Sequence, residues 1–431
     1  MAKSMKKLNV GLIGAGTVGS GLIQIIQENS RSISQRSGVE LNLVIVCNRS
    51  LKKIEHLKNI EITTNFEDVI NHKDVDLIVE LIGGTDTADT IIRSAIEKKK
   101  TVVTANKALL SEKGDEIFNL ASKHKVEIGF EAAVGGAIPV IRTIKTSLVS
   151  EKFISCYGIL NGTTNFILSK MEKEKHDYAE VLKKAQELGF AESDPTFDVE
   201  GIDAAHKISI LGSLAFNKKI DFSAIHVEGI SRISQTDIQF AASLGFRIKL
   251  LASAKMIGER IETRVQPTMI PLNHPLANVM NEMNAIYFQT SYSGPVVLVG
   301  KGAGSLPTAS AVLADIIYYG TRGLANDIPL ETNQFEKSQH ANPNDSLVRY
   351  YLRFNTADKP GVLAEIARIL GKNNVSISYV RQNESDAAHA EVAVLTHESR
   401  EGDIRKSIAE IDKMQEIIEK PTVLIRLEDK L

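Results

Sequence analysis

Near its start the chain runs from an apolar segment, Lys7 to Ile13 (KLNVGLI), into Gly14-Ala15-Gly16-Thr17-Val18-Gly19 and then a helical stretch to about Asn29. Strand, G-x-G-x-x-G and helix in that order form a dinucleotide fingerprint. The glycines allow a tight turn and close backbone approach to a pyrophosphate at the helix N-terminus. The hexapeptide alone is a weak signal, since a glycine-rich turn need bind nothing; the flanking strand and helix give it weight. A strand of this kind belongs in a parallel sheet, so strand–helix alternation should follow. Strands at 40–47, 75–82, 101–104 and 125–130 do alternate with helices at 51–58, 87–99 and 107–123. This predicts an α/β chain that begins with a doubly wound parallel Rossmann sheet.

The second strand, ELNLVIVC, ends in Asn48-Arg49-Ser50. An NAD site wants Asp or Glu here for the ribose 2′-hydroxyl, whereas Arg49 suits a 2′-phosphate. NADP is therefore favoured, with NAD possible; the plain alternative is a loop arginine in solvent. Leu81-Ile82-Gly83-Gly84 and Thr104-Ala105-Asn106-Lys107 close two further strands, at the sheet edge where ligands sit. Lys107 starts a helix, where a cation opposes the helix dipole. A ligand anion would resolve that conflict, although a surface lysine reaching into solvent also fits.

Later segments carry denser chemistry. Glu131 to Pro139 (EAAVGGAIP) predicts an irregular loop whose carbonyls suit a hard monovalent cation, or else a domain crossover. Asn161-Gly162-Thr163-Thr164-Asn165 crowds hydroxyls and amides at a helix start, of which N-capping needs only one. Leu188 to Lys207 (LGFAESDPTFDVEGIDAAHK) packs Glu192, Asp194, Asp198, Glu200, Asp203 and Lys207 together. Gly189 and Pro195 punctuate it as turns, and Asp203 and Lys207 recur at i and i+4, on one face of a helix over 202–216. A solvated loop between two helices would also be acidic. Runs such as IKLLASAKM and IETRVQPTMI predict a second, mixed or antiparallel sheet. A second glycine loop, Gly300 to Gly304, leads through Ser305 to a helix, Pro307 to Tyr319, expected to return to the first domain.

The formal charge of −2 over 431 residues, with no basic cluster, argues against nucleic acid or a membrane surface as partner. Two cysteines, Cys47 and Cys156, are too few for a disulfide framework and lack metal-site spacing. No signal-like h-region and no apolar run near ~20 residues is present, so a cytoplasmic protein is expected. Residues 331–346 read as a polar linker. Residues 347–431 follow a βαββαβ order, a ferredoxin-like module. The domains expected are 1–133 plus about 305–330 for the dinucleotide, 134–304 for substrate and dimerisation, and 347–431 at the C-terminus.

GLIGAGTVG, ELIGG, TANKALL, EAAVGGAIP, GILNGTTNFIL, LGFAESDPTFDVEGIDAAHK and GKGAGSLPTASAV, in that order, resemble homoserine dehydrogenase over residues 8–320. DKPGVLAEIARIL resembles an ACT regulatory domain over about 348–427. The resemblance implies NAD(P)-dependent interconversion of L-homoserine and L-aspartate 4-semialdehyde. It implies Lys207 as general acid/base, with Lys107 between cofactor and substrate. Glu192, Asp203 and Asp198 become substrate contacts; some relatives carry Asp where this chain has Phe197. Gly14, Ala15, Gly16, Thr17, Val18, Gly19, Arg49, Thr104, Lys107, Gly189 and Gly304 would surround the dinucleotide. A monovalent cation, sodium, is implied at Glu131, Val134, Gly136 and Ile138. Threonine is the implied effector of the ACT module, and a homodimer or homotetramer the implied assembly.

Two other readings compete. A phosphorylating semialdehyde dehydrogenase shares the Rossmann start but needs a thiolate nucleophile, and neither cysteine has such a setting. A non-enzymatic amino-acid sensor would keep the ACT module over a vestigial nucleotide domain, yet Lys107, Glu192, Asp203 and Lys207 are all present.

Overall fold

Leu8, Val10 and Leu12 are each fully buried, as a strand covered on both faces requires. They lie on β1 (Lys6–Ile13), the centre of the first sheet in a computed structural model that describes residues 6–51, 54, 57–323, 335–384, 389–429 and 431. In chain order there follow α1 (Thr17–Ser37), β2 (Val39–Cys47), β3 (Glu61–Thr63), α2 (Phe66–Ile70), β4 (Leu77–Glu80), α3 (Asp86–Glu97), β5 (Thr101–Thr104), α4 (Lys107–His124) and β6 (Ile128–Gly129). The strands run parallel in the order β3-β2-β1-β4-β5-β6, so the Rossmann expectation holds. β3 escaped the sequence pattern because it is polar and largely exposed, and α2 because its apolar Phe66, Val69 and Ile70 span only five residues. The strand expected at 125–130 shrinks to two residues. Much of the helix expected at 51–58 lies outside the described residues.

The chain then supplies β7 (Phe153–Ile159), α5 (Gly162–Glu174), α6 (Tyr178–Glu187), α7 (Ile202–Phe216), β8 (Phe246–Ile257), β9 (Arg260–Pro271), β10 (Met283–Thr290), β11 (Pro295–Lys301) and α8 (Ser305–Gly323). Contacts divide the molecule into two compact units. One holds Met1–Cys156, His206–Ser223 and Asn284–Ser338; the other holds Tyr157–Ala205, Ala224–Met283 and Gln339–Leu431. In the first, α8 packs against β1 and α1. Ala309, Val312 and Ile316 share a core with Leu12, Leu22 and Ile26. Packing is close enough that a Cβ on Gly21 would stand 2.6 Å from the Ser305 hydroxyl.

In the second unit, β8 and β9 form an antiparallel hairpin in continuous register from Phe246↔Pro271 to Ile257↔Arg260. The C-terminal module follows as β12 (Leu347–Ala357), α9 (Val362–Lys372), β13 (Ile377–Glu384), β14 (His389–Thr396), α10 (Glu401–Ile411) and β15 (Ile418–Leu427). The order β15-β12-β14-β13 gives the ferredoxin-like module expected. On α9, Val362, Ile366, Ile369 and Leu370 put one apolar stripe onto Tyr350, Leu352 and Phe354. The module is not held by a linker alone. β15 pairs in parallel with β9 at Thr268↔Arg426 and Met269↔Leu427, extending the hairpin's sheet. The stretch before it, described from residue 335, makes two short pairings: Glu336–Lys337 with Lys218–Lys219, and Gln339–His340 with Arg260–Ile261. Backbone pairing at a strand edge needs no apolar period, so the sequence showed only polarity there.

Candidate active site

The fingerprint turn folds as its glycines demand. Gly14 adopts φ 102°, and a Cβ there would stand 2.6 Å from the Leu81 carbonyl oxygen; one on Gly19 would overlap the Gly14 carbonyl. A Cβ on Gly16 meets nothing, so that residue faces open space. Gly16 is also the N-cap of α1 and provides no side-chain cap. The first amides of α1, at Thr17 and Val18, are thereby left for an anion. A cleft of about 640 Å³ opens here, lined by Gly14, Gly16, Asn48, Arg49, Ile82 and Gly83 among others. Asn48 shapes it: its side chain accepts from the Ala15 amide (3.1 Å) and donates to the Ser50 carbonyl (2.9 Å). Arg49 is exposed at the same wall. Gly304, at φ 116°, precedes Ser305, whose hydroxyl donates to the Thr17 carbonyl at 2.6 Å.

Beside the cleft lies a carboxylate that pattern reading missed. Glu80, wholly buried at the end of β4, accepts from the Ile82 amide (2.7 Å) and the Thr104 hydroxyl (2.6 Å). Burial pushes its carboxyl up to about 7, against the pull of both hydrogen bonds. The Thr104 hydroxyl in turn accepts from the Asn106 amide at 3.0 Å. Asn106 donates to the Gly84 carbonyl (2.7 Å) and caps α4 through Leu109 (3.1 Å). This chain of bonds sets the start of the helix whose first residue is the half-buried Lys107. In the sequence Glu80 is the carboxylate that ends an apolar strand and opens the ELIGG motif.

The second unit holds Asn161, Thr163, Asp198 and Asp203 together. Asn161 Nδ2 donates to Asp198 at 2.7 Å and to Asp203 at 2.9 Å, while its Oδ1 accepts the Thr164 amide and caps α5. The single Thr163 hydroxyl proton lies between two acceptors, the Phe190 carbonyl at 2.6 Å and Asp198 at 3.0 Å. Asn165 accepts from the buried Lys249 ammonium at 2.8 Å, and burial, then Arg247, push that lysine down to about 7. The excess of polar groups in the NGTTN turn is thus accounted for. Glu192 is exposed on the loop. Gly189, at φ 75°, closes α6: its amide reaches the Gln186 carbonyl and that of Phe190 the Ala185 carbonyl, the paired bonds of a Schellman end. Asp203 and Lys207 lie one turn apart on α7, 2 % and 7 % exposed.

In the EAAVGGAIP loop, Gly135 and Gly136 take consecutive positive φ values of 75° and 55°. A Cβ on Gly136 would stand 2.6 Å from the Gly302 carbonyl oxygen, and the Ala137 amide donates to the Lys301 carbonyl at 3.0 Å. The two glycine loops therefore lie backbone against backbone. The Glu131 carboxylate accepts from the Ile141 (2.7 Å) and Arg142 (2.9 Å) amides, and burial followed by Asp315 pushes it up to about 7. Val134 and Ile138 are buried in the same loop. Asn284, fully buried against Gly302, has neither side-chain polar atom partnered among the described residues.

With this geometry in hand, known proteins provide the comparison. Residues 14–131 match the family model described as homoserine dehydrogenase, NAD binding domain; 139–317 match homoserine dehydrogenase, and 350–415 the ACT domain. Homoserine dehydrogenase from Neisseria gonorrhoeae is 43% identical over 98% of this chain and 99% of its own length. The chain belongs to the homoserine dehydrogenase family. The fold agrees: the crystal structure of a homoserine dehydrogenase from Thiobacillus denitrificans superposes with a TM-score of 0.92 at 40% identity, covering 99% of both chains. A hyperthermophilic archaeal homoserine dehydrogenase in complex with NADPH matches at TM-score 0.63 and 27% identity, over 73% of this chain and 98% of its own. As a homoserine dehydrogenase the chain is an oxidoreductase acting on a CH–OH group, interconverting L-homoserine and L-aspartate 4-semialdehyde with a nicotinamide dinucleotide. The chemistry needs no thiolate, and both cysteines are buried, with each thiol pushed up by desolvation. Among the described residues no helix is long and apolar enough to cross a membrane.

Proposed function

We propose that Lys207 moves the proton of this reaction and that Asp203, Asp198 and Glu192 hold the substrate ammonium. The observation that carries the reading is the pairing on α7 of Asp203 and Lys207, one turn apart and both buried, with Asp203 and Asp198 drawn to one amide. Asp203, buried, and Asp198, partly buried, are held on one neutral amide, and neighbouring carboxylates favour a cation beside them, which an amino-acid substrate brings. When bound, the dinucleotide supplies or takes the hydride. Lys207 as ammonium donates its proton to the oxygen of the aldehyde as that oxygen gains charge, and as amine accepts it in reverse. Lys107, at the start of α4, supplies positive charge near that oxygen and the cofactor.

We assign the dinucleotide to Gly14–Gly19, Thr104 and Gly304, with Gly189 the most remote of the expected neighbours in role, since it already closes α6. NADP is preferred through Arg49, the exposed cation in a cleft wall with no acid at the ribose position. A monovalent cation, sodium, fits the carbonyls of Glu131, Val134, Gly136 and Ile138: the Glu131 carboxylate is occupied by amides, and the unpartnered Asn284 oxygen lies at the adjoining loop. Threonine acting at the ACT module, a homodimer or homotetramer, and a cytoplasmic location complete the proposal.

The test is a steady-state assay with homoserine, comparing NADP with NAD, with and without threonine. Lys207→Ala should lower turnover by about 10²-fold or more in both directions. Near-normal turnover would remove Lys207 from the role.

A further inference from the structure

Glu228 joins two things that the reaction scheme leaves separate: the ACT helix α10 and the turn bearing the substrate carboxylates. We infer that Arg405 on α10 is a positioning residue for Asp198 and Asp203, acting through Glu228 and the segment 226–230. The inference rests on the assignment of those carboxylates to the substrate.

The substrate side is a backbone contact. The Ile230 amide donates to the Val199 carbonyl at 2.9 Å. A Cβ on Gly229 would stand 2.5 Å from that same oxygen and 2.6 Å from the Glu200 Cα, so this segment lies flat on the acidic turn. Gly201, at φ 83°, faces the same support: a Cβ there would stand 3.0 Å from a Val265 methyl and 3.2 Å from one of Val227. Asp198 lies just before this contact and Asp203 just after it. Any shift of 226–230 must therefore be felt at both carboxylates, because packed backbone cannot deform locally without cost.

The ACT side is ionic. His226 and Val227 pair with Arg264 and Val265 of β9, and the Glu228 amide donates to the Val265 carbonyl at 2.8 Å. Glu228 Oε1 accepts from Arg405 Nη2 at 2.9 Å and faces His226 Nε2 at 2.8 Å. Burial opposes the charge on Glu228, yet His226 and Arg405 together hold it at about 2. Arg405 Nε donates to Glu401 at 2.7 Å, and Glu401 pairs with Arg264 at 2.7 Å. The Glu401–Arg264 pair is 0% and 1% exposed and docks the module. Arg405, with a third of its side chain in solvent, contributes little to docking. Its reach to Glu228 is what distinguishes it: this bond ties α10 to the segment beneath the substrate turn.

In the full chain, Arg405→Ala and Glu228→Gln should each raise KM for homoserine by roughly three- to tenfold, the factor that loss of about 1 kcal/mol gives. KM for NADP and kcat should stay near wild type. The double variant should be no worse than either single one, and Arg405→Lys should recover most of the loss. Asp203→Asn is the control for the underlying assignment. If it raises KM for homoserine while Arg405→Ala only lowers the melting temperature, Arg405 merely docks the module and the inference is overturned. If Asp203→Asn leaves that KM unchanged, the substrate assignment fails and the inference falls with it.

Discussion

The side-chain amide of Asn161 stands 2.9 Å from a carboxylate oxygen of Asp203, and its other proton reaches Asp198 at 2.7 Å. One neutral side chain thus fixes two acids in one place. Asn161→Ala takes one hydrogen bond from each carboxylate and removes the cap of α5, worth about 1 kcal/mol. KM for homoserine should rise about tenfold, with KM for NADP unchanged because the fingerprint turn is untouched. Asn161→Asp adds a third negative charge and should do worse. An unaltered homoserine KM in both variants would mean that Asp198 and Asp203 do not bind the substrate ammonium.

At the cofactor end, Arg49 is exposed on the cleft wall and Asn48 holds the turn. Arg49→Ala should therefore raise KM for NADP about tenfold while leaving KM for NAD and the melting temperature near wild type. Equal loss with both cofactors would place Arg49 in the general framework of the site.

Glu80 makes a prediction in pH. Its carboxyl titrates near 7 in the folded chain, against 4.5 as its ordinary value. Between those values the folded form keeps a proton that the unfolded form has lost, so this group's contribution to stability falls as pH rises from 4.5 to 7. Across that window it amounts to about 3 kcal/mol. Urea titrations at several pH values should show Glu80→Gln losing less stability than wild type from pH 4.5 to 7. Parallel curves would rule out a raised Glu80.

What was legible follows from how local each signal is. The strand, glycine turn and helix around Gly14–Gly19 carry their geometry in adjacent residues, and the i, i+4 spacing of Asp203 and Lys207 survives because α7 is one helix over the predicted span. The ACT module was legible for the same reason, each apolar run being bounded by turns. The partners of Asp198 were not. Asn161 and Thr163 are 37 and 35 residues away from it, and an Asn beginning a helix reads as a cap, which it also is. Glu80 looked like one more strand residue. The pairing of β15 with β9 had no local mark at all, since backbone amides carry no side-chain code.

That pairing changes what truncation should do. Arg264 and Glu262, 1% and 3% exposed, meet Glu401 and Arg426 of the ACT module. Cutting the chain after residue 340 would leave Arg264 and Glu262 with each other, 3.1 Å apart, but without their ACT partners, and would bare the edge of β9. The shortened protein should aggregate or melt at least 10 °C lower, by roughly the several kcal/mol that broken buried pairs cost. A soluble truncated enzyme with unchanged melting temperature would show that the module is an independent appendage.

The two lysine-bearing helices, α4 and α7, are joined at a pair of serines. Ser111 and Ser209 hydroxyls stand 2.7 Å apart, and Ser209 donates its own proton to the His206 carbonyl at 2.8 Å. Ser111 must then be the donor between them. It lies one turn after Lys107 on α4, on the same face, while Ser209 follows Lys207 by two residues on α7. The bond is part-buried, so each hydroxyl removed leaves the other less satisfied. Small displacements of catalytic groups cost rate more than binding. Ser111→Ala should accordingly lower kcat several-fold with little change in either KM, and Ser111→Thr, which keeps the hydroxyl, should restore most of it. A kcat at wild-type level in Ser111→Ala would show that α4 and α7 keep their register by apolar packing alone.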